Sequence, residues 1–133
     1  MELRESGFGK VLKEYWKEGG TVIGSSAGAI ILGEDIGTCA HLDTNTVGLK
    51  ELGGLKLAAG FSVWCHYSPD DDALIEKFIL ENETLILALS EKTGALLDAG
   101  KLTMTGTFPA VIFQRRGKEI ERLVIRPDET IAF

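Results

Sequence analysis

Apolar residues recur at three- and four-residue intervals near the start of the chain. Phe8, Val11, Leu12, Tyr15 and Trp16 fall on one face of a helix, and Gly19-Gly20 ends that pattern. Thr21-Val22-Ile23 then predicts a short buried strand. It runs into the small-residue turn Gly24-Ser25-Ser26-Ala27-Gly28-Ala29, and Ile30-Ile31-Leu32 predicts a helix behind it. From 33 to 60 the chain is glycine-rich without a sustained period, which predicts a long loop carrying short pieces of structure. Phe61-Ser62-Val63-Trp64-Cys65 predicts a second strand, ending at His66. Ser68 and Pro69 supply an N-cap and a first helical residue. Asp70, Asp71 and Asp72 follow in the first turn, where the helix dipole favours negative charge, and Leu74, Ile75, Phe78 and Ile79 form the inner face. Leu85-Ile86-Leu87-Ala88-Leu89 predicts a buried strand. Ala95-Leu96-Leu97, Ala110-Val111-Ile112-Phe113 and Leu123-Val124-Ile125 predict a β-rich end punctuated by Gly94, Gly100, Gly106 and Gly117.

Strands alternating with helices, then strands in succession, predict an α/β domain with parallel strands first and a hairpin-like end last. A length of 133 residues suits one domain over 1–133, and 44% hydrophobic against 26% charged residues is enough to build a core. The charge balance narrows the partners. Lys+Arg 14 against Asp+Glu 20 leaves a net charge of -6, which repels nucleic acid and anionic membranes. The one dense basic stretch, Arg115, Arg116 and Lys118 around Gly117, predicts a hairpin turn with solvated charges. No apolar run approaches the roughly 18 residues of a membrane span, and the charged start lacks the apolar segment of a signal peptide. Cys39 and Cys65 are too few for a disulfide framework, so free thiols and a cytoplasmic location are expected.

Gly24-Ser25-Ser26-Ala27-Gly28 fits G-x-S-x-G. A serine on a sharp turn between strand and helix is lifted clear of the sheet, and small neighbours let the backbone turn without clashing. Ser26 holds the central position, and the N–H of Ala27 would face a developing oxyanion. A serine nucleophile needs a base. His66 is expected at the carboxyl end of its strand, as Ser26 is at the end of its own, so both open onto the edge where ligands bind in parallel sheets. His41 lies in the irregular loop. An acid should orient the imidazole; Asp43, Glu34 and Asp35 all lie between Ser26 and His66, and composition does not choose among them. The other reading of the turn is a glycine-rich phosphate-binding or tightly packed loop. A metal alternative also exists: Cys39, His41 and Asp43 alternate and would share one side of an extended segment. Cys65 beside His66 is disfavoured as a nucleophile, because adjacent strand residues point to opposite faces.

The stretch from Gly19 to Ala29 resembles the nucleophile elbow of peptidase E (alpha-aspartyl dipeptidase) and its relative cyanophycinase. Trp64-Cys65-His66-Tyr67 resembles the family's catalytic-histidine segment, and Leu123-Val124-Ile125-Arg126-Pro127-Asp128 its closing strand. The resemblance implies a flavodoxin-like sandwich related to class I glutamine amidotransferases. It implies a serine peptidase that hydrolyses small peptides through an acyl-enzyme, with no metal and no other cofactor. Ser26 would attack, His66 would move the proton, Ala27 would donate half of the oxyanion hole, and Asp43 is the nearest match to the acid. Two departures stand out. The family's preceding half-sheet, with its G-G-G-N loop, has no counterpart here, so the domain is expected to be partial, a homo-oligomer or dependent on a missing N-terminal half. The family's arginine between serine and acid is also absent, Lys50 and Lys56 being the only cations from Ser26 to His66. Alternatives are a non-catalytic half-domain binding through its exposed sheet edge and a different hydrolase or amidotransferase-like enzyme.

Overall fold

The computed structural model describes residues 2–133. A short helix α1 (Glu2–Glu5) precedes α2 (Phe8–Lys17), then come α3 (Ala27–Leu32), a 3-10 turn at Ile36–Cys39 and strand β1 (Phe61–Cys65). Helix α4 (Asp72–Asn82) leads to β2 (Leu85–Leu89), β3 (Thr93–Asp98), β4 (Lys101–Gly106), β5 (Ala110–Arg116), β6 (Glu119–Ile125) and β7 (Thr130–Ala132). The mixed α/β class is as expected. So are the helix over 8–17 and the β5–β6 hairpin, whose turn is Gly117-Lys118; the helix expected from Pro69 opens as a 3-10 turn over Pro69–Asp71 and becomes α-helical at Asp72. At the start of α4 the Ser68 N–H donates to Asp71 Oδ2 at 3.1 Å. Asp72 accepts from Tyr67 Oη at 2.6 Å and pairs with Arg122 Nε at 3.3 Å. Asp71 and Asp72 are thus tied into local structure.

A four-stranded sheet runs β1-β2-β5-β6, and a three-stranded antiparallel sheet runs β3-β4-β7. β1 and β2 are parallel, with Phe61 opposite Leu85, whereas β2–β5 and β5–β6 are antiparallel. Alternation sends successive residues of β1 and β2 to opposite faces, and both faces are covered. On one, Phe61, Val63, Cys65, Leu87 and Ile112 pack with Ile30 of α3 and with Leu102 and Met104 of β4. On the other, Trp64, Ile86, Ala88, Val111 and Phe113 pack with Ile75 and Ile79 of α4. Each large apolar side chain fully removed from water contributes about 1.5–3 kcal/mol, so these two layers hold the sheet.

The amino-terminal part differs from expectation. Thr21-Val22-Ile23 is not a strand, and Ile23 is 89% exposed. A strand forms only when a neighbour pairs with it, and among the described residues no ladder reaches this segment. The apolar face of α2 is likewise uncovered: Phe8, Val11, Tyr15 and Trp16 are all exposed. Residues 33–60 are loop, as expected, closed by the 3-10 turn and an isolated bridge between Asp35 and Gly53. Among the described residues no helix is long and apolar enough to cross a membrane.

Candidate active site

Ser26 is the residue immediately before α3, with φ 51° and ψ -117°. An L-residue adopts positive φ only when the surroundings enforce it. The enforcement is visible at Gly24, where an added Cβ would lie 2.4 Å from the Gly28 carbonyl oxygen. Only glycine allows the two arms of the turn to approach so closely. The Cys65 thiol adds a contact from β1, 3.5 Å from the Ser26 carbonyl oxygen to which it donates. The Ala27 N–H opens α3 and has no intrahelical acceptor, as for any first-turn donor.

His66 follows the last residue of β1 and also holds positive φ, 55°. That break turns its side chain across the strand end, where Nε2 lies 3.2 Å from Ser26 Oγ. Its Nδ1 bonds Glu91 Oε1. Glu91 comes two residues after β2, so the hydroxyl, the imidazole and the carboxylate meet along the carboxyl ends of β1 and β2, the edge where parallel sheets place ligands. The site is open: the side chains of His66 and Glu91 are 45% and 70% exposed. A solvent-exposed contact of this kind contributes little to stability. Its value is orientation. With Nδ1–H donated to the carboxylate, Nε2 carries the lone pair and can accept the proton of the Ser26 hydroxyl.

The structure does not bring Asp43 to the imidazole. Asp43 lies in the exposed loop, its N–H bonded to the Cys39 carbonyl, and Glu91 holds the place it was expected to fill. Glu34 pairs with Lys56 at 3.9 Å, and the Asp35 carboxylate accepts from the Gly37 N–H at 2.7 Å, so these competitors are engaged elsewhere. The sequence carried a usable signal for Glu91. The edge argument that selected His66 applies equally to the residue just past Leu85–Leu89; confining the acid to the interval between Ser26 and His66 hid it. The extended segment needed for a Cys39–His41–Asp43 metal site is not formed. Cys39 ends the 3-10 turn and its thiol donates to the Ile36 carbonyl at 3.1 Å, while His41 stacks on Trp64 with ring centroids 4.3 Å apart. No group of His, Cys, Asp and Glu suited to a metal ion occurs among the described residues. Burial and the nearby Glu91 charge push the Cys65 thiol up to about 11, leaving it protonated and unreactive at neutral pH.

A serine hydroxyl, an imidazole and a carboxylate in series at a strained elbow form the constellation of covalent hydrolases. The model of peptidase family S51 matches residues 1–105; the chain belongs to that family. Among solved structures, the chain is similar to the 1.5 Å crystal structure of a protein from Listeria monocytogenes EGD-e provisionally assigned to peptidase E. The identity is 25% and the TM-score 0.54, over 93% of this chain and 52% of that one. The chain thus spans about half the length of the solved relative. None of the curated proteins matches it.

Proposed function

We propose that the chain carries the catalytic centre of a serine-type peptidase acting on small peptides. Ser26 is the nucleophile, His66 the general base and acid, and Glu91 the carboxylate that orients it. Ser26 Oγ attacks the scissile carbonyl while its proton passes to His66 Nε2, and the Ala27 N–H donates to the resulting oxyanion. Collapse of the tetrahedral intermediate expels the amine, which takes the proton from Nε2 and leaves an acyl-enzyme on Ser26. Water, deprotonated by His66, then releases the acid. The observation that carries this reading is the 3.2 Å contact between Ser26 Oγ and His66 Nε2 at an elbow whose serine holds positive φ. Membership of a peptidase family supports the reaction class. A flavodoxin-like sandwich, from the likeness to peptidase E, and a cytoplasmic setting, from the free thiols of Cys39 and Cys65, complete the proposal.

A second reading is favoured by the uncovered Phe8, Val11, Tyr15, Trp16 and Ile23. In it, the domain works only with further polypeptide, a second copy or a complementary half, packed on this face and supplying a second oxyanion donor. Apolar surface gathered on one face of a helix, as on α2, is characteristic of an interaction site.

Intact-mass analysis after exposure to a fluorophosphonate tests both readings, using wild type and Ser26→Ala. Labelling of the wild type alone supports an activated serine in the chain by itself. Absence of labelling in folded protein sinks the self-sufficient enzyme and leaves the partner-dependent reading.

A further inference from the structure

Glu91 reaches His66 from a loop, not from a strand, and its side chain is largely in solvent. Among the described residues its carboxylate bonds no side chain but His66. A long exposed side chain with several rotatable bonds is not aimed by burial, so the backbone that carries it must do the aiming. That backbone is the short link Ser90–Glu91–Lys92 between β2 and β3, in which Lys92 holds positive φ, 57°.

The link is stapled to the segment joining β4 to β5. The Thr93 hydroxyl lies 3.0 Å from the Phe108 carbonyl and 3.4 Å from the carbonyl of Glu91 itself. Its single proton donates to the first or is shared between the two. The Thr107 N–H donates to the Lys92 carbonyl at 2.9 Å, and the Ser90 hydroxyl to the Pro109 carbonyl at 3.4 Å. Gly106, opposite Thr93 in the ladder, closes the gap: a Cβ there would sit 2.1 Å from the Lys92 carbonyl oxygen. Of these contacts only the Thr93 hydroxyl touches both the Phe108 carbonyl and the main chain of Glu91.

We propose that Thr93 is a positioning residue for the Glu91–His66 pair: its hydroxyl fixes the loop so that the carboxylate meets His66 Nδ1 and selects the tautomer with the lone pair on Nε2. The kinetic consequence rests on the serine-peptidase reading, whereas the tautomer is measurable without any activity. A merely structural threonine would change stability and leave the imidazole unaltered.

The test uses the whole 133-residue chain with 15N-labelled histidine. The chain has two histidines, and His41 serves as internal reference. Ring 15N shifts report which nitrogen of His66 carries the proton. In wild type, the Nδ1–H form should dominate. Glu91→Gln sets the signature of a lost carboxylate, and Thr93→Val should move His66 toward it, with Thr93→Ser restoring the wild-type spectrum. Fluorophosphonate labelling should slow about 10- to 100-fold in Thr93→Val, in keeping with a misplaced catalytic group. If Thr93→Val does not fold, Thr93→Ala against Thr93→Ser makes the same comparison. A wild-type tautomer in the folded variant lacking the hydroxyl overturns the role of Thr93, even if Glu91→Gln alters the spectrum. If Glu91→Gln itself leaves His66 unchanged, the proposal falls together with the Glu91 assignment. If wild type never labels but the tautomer follows Thr93 as described, the self-sufficient peptidase reading fails and the positioning role stands.

Discussion

Ser26 and His66 touch through their side chains at 3.2 Å, and both hold positive φ, at 51° and 55°. Each sits at the junction of an element, where one strained residue redirects the chain. The hydroxyl leaves the start of α3 and the imidazole leaves the end of β1, and the two turns aim them at one point. Conformations of this kind carry a penalty of order 1–3 kcal/mol per residue and persist only where the surroundings impose them.

Glu91, and not Asp43, should control the imidazole. Glu91→Gln is expected to slow fluorophosphonate labelling of Ser26 by at least about 100-fold, the scale of a lost acid–base arrangement. Asp43→Asn, in the exposed loop, should leave the rate within about twofold. Equal effects of the two substitutions would exclude the geometry described for His66 Nδ1.

The two glycines of the elbow should respond differently. Gly24→Ala places a methyl group 2.4 Å from the Gly28 carbonyl oxygen; it should destabilise by about 1–3 kcal/mol in urea unfolding and abolish labelling. A Cβ at Gly28 meets nothing within 4 Å. Gly28→Ala, in the first turn of a helix, should change stability by less than about 1 kcal/mol. A tolerated Gly24→Ala would show that the close approach of the two arms is dispensable.

The Cys65 thiol, raised to about 11 by burial and by Glu91, should resist iodoacetamide at pH 7.5 in folded protein and react once the chain is unfolded. The sign for stability follows. The folded thiol keeps its proton to a higher pH than the unfolded one, whose value lies near 8.5. The stability this provides is fully present below that value and is lost as pH rises toward 11. Peptide mapping by mass spectrometry checks the first outcome and denaturation between pH 8 and 11 the second. Rapid alkylation of Cys65 in folded protein would contradict the burial.

The two tryptophans separate the covered core from the uncovered helix. Trp64 is fully buried between the sheet and α4, whereas Trp16 lies on the exposed face of α2. Trp64→Ala should cost about 3–5 kcal/mol and Trp16→Ala less than about 1 kcal/mol in the isolated chain. A large loss for Trp16→Ala would mean that its face is covered in solution, as the partner-dependent reading requires.

Much of this arrangement is legible in the sequence, because local signals and tertiary contacts agree where they meet. The i, i+3, i+4 spacing from Phe8 to Trp16, the Ser68-Pro69 helix start and the apolar runs at 61–65 and 85–89 all specify their elements without help. Thr21-Val22-Ile23 fails for the opposite reason: β propensity is a preference for a pleated, packed surface, and no neighbouring strand is there to pair with it. Strand β4 was readable in principle, since Leu102 and Met104 alternate with Thr103 and Thr105 and are fully buried. The short β7 pairs with β4 over three positions only and leaves no comparable pattern. At the site, Ser26 follows from its motif and His66 from its place at a strand end. The strand-end argument also reaches Glu91, just past Leu85–Leu89, but its pairing with His66 depends on β1 and β2 lying side by side and on a loop held by residues 106–109.

The sequence separations within the site bear on how the molecule reaches its final state. Ser26 and His66 are 40 positions apart, His66 and Glu91 25 apart, and the parallel pairing of β1 with β2 must close a comparable span. The β5–β6 hairpin closes across a two-residue turn. Loop-closure entropy rises with span, and non-local parallel pairing is slow compared with local hairpins. The serine, imidazole and carboxylate therefore come together only when the slowest-forming contacts are in place. A phosphonylated Ser26 would mark a chain that has completed folding, and labelling during refolding would time the docking of β1 on β2.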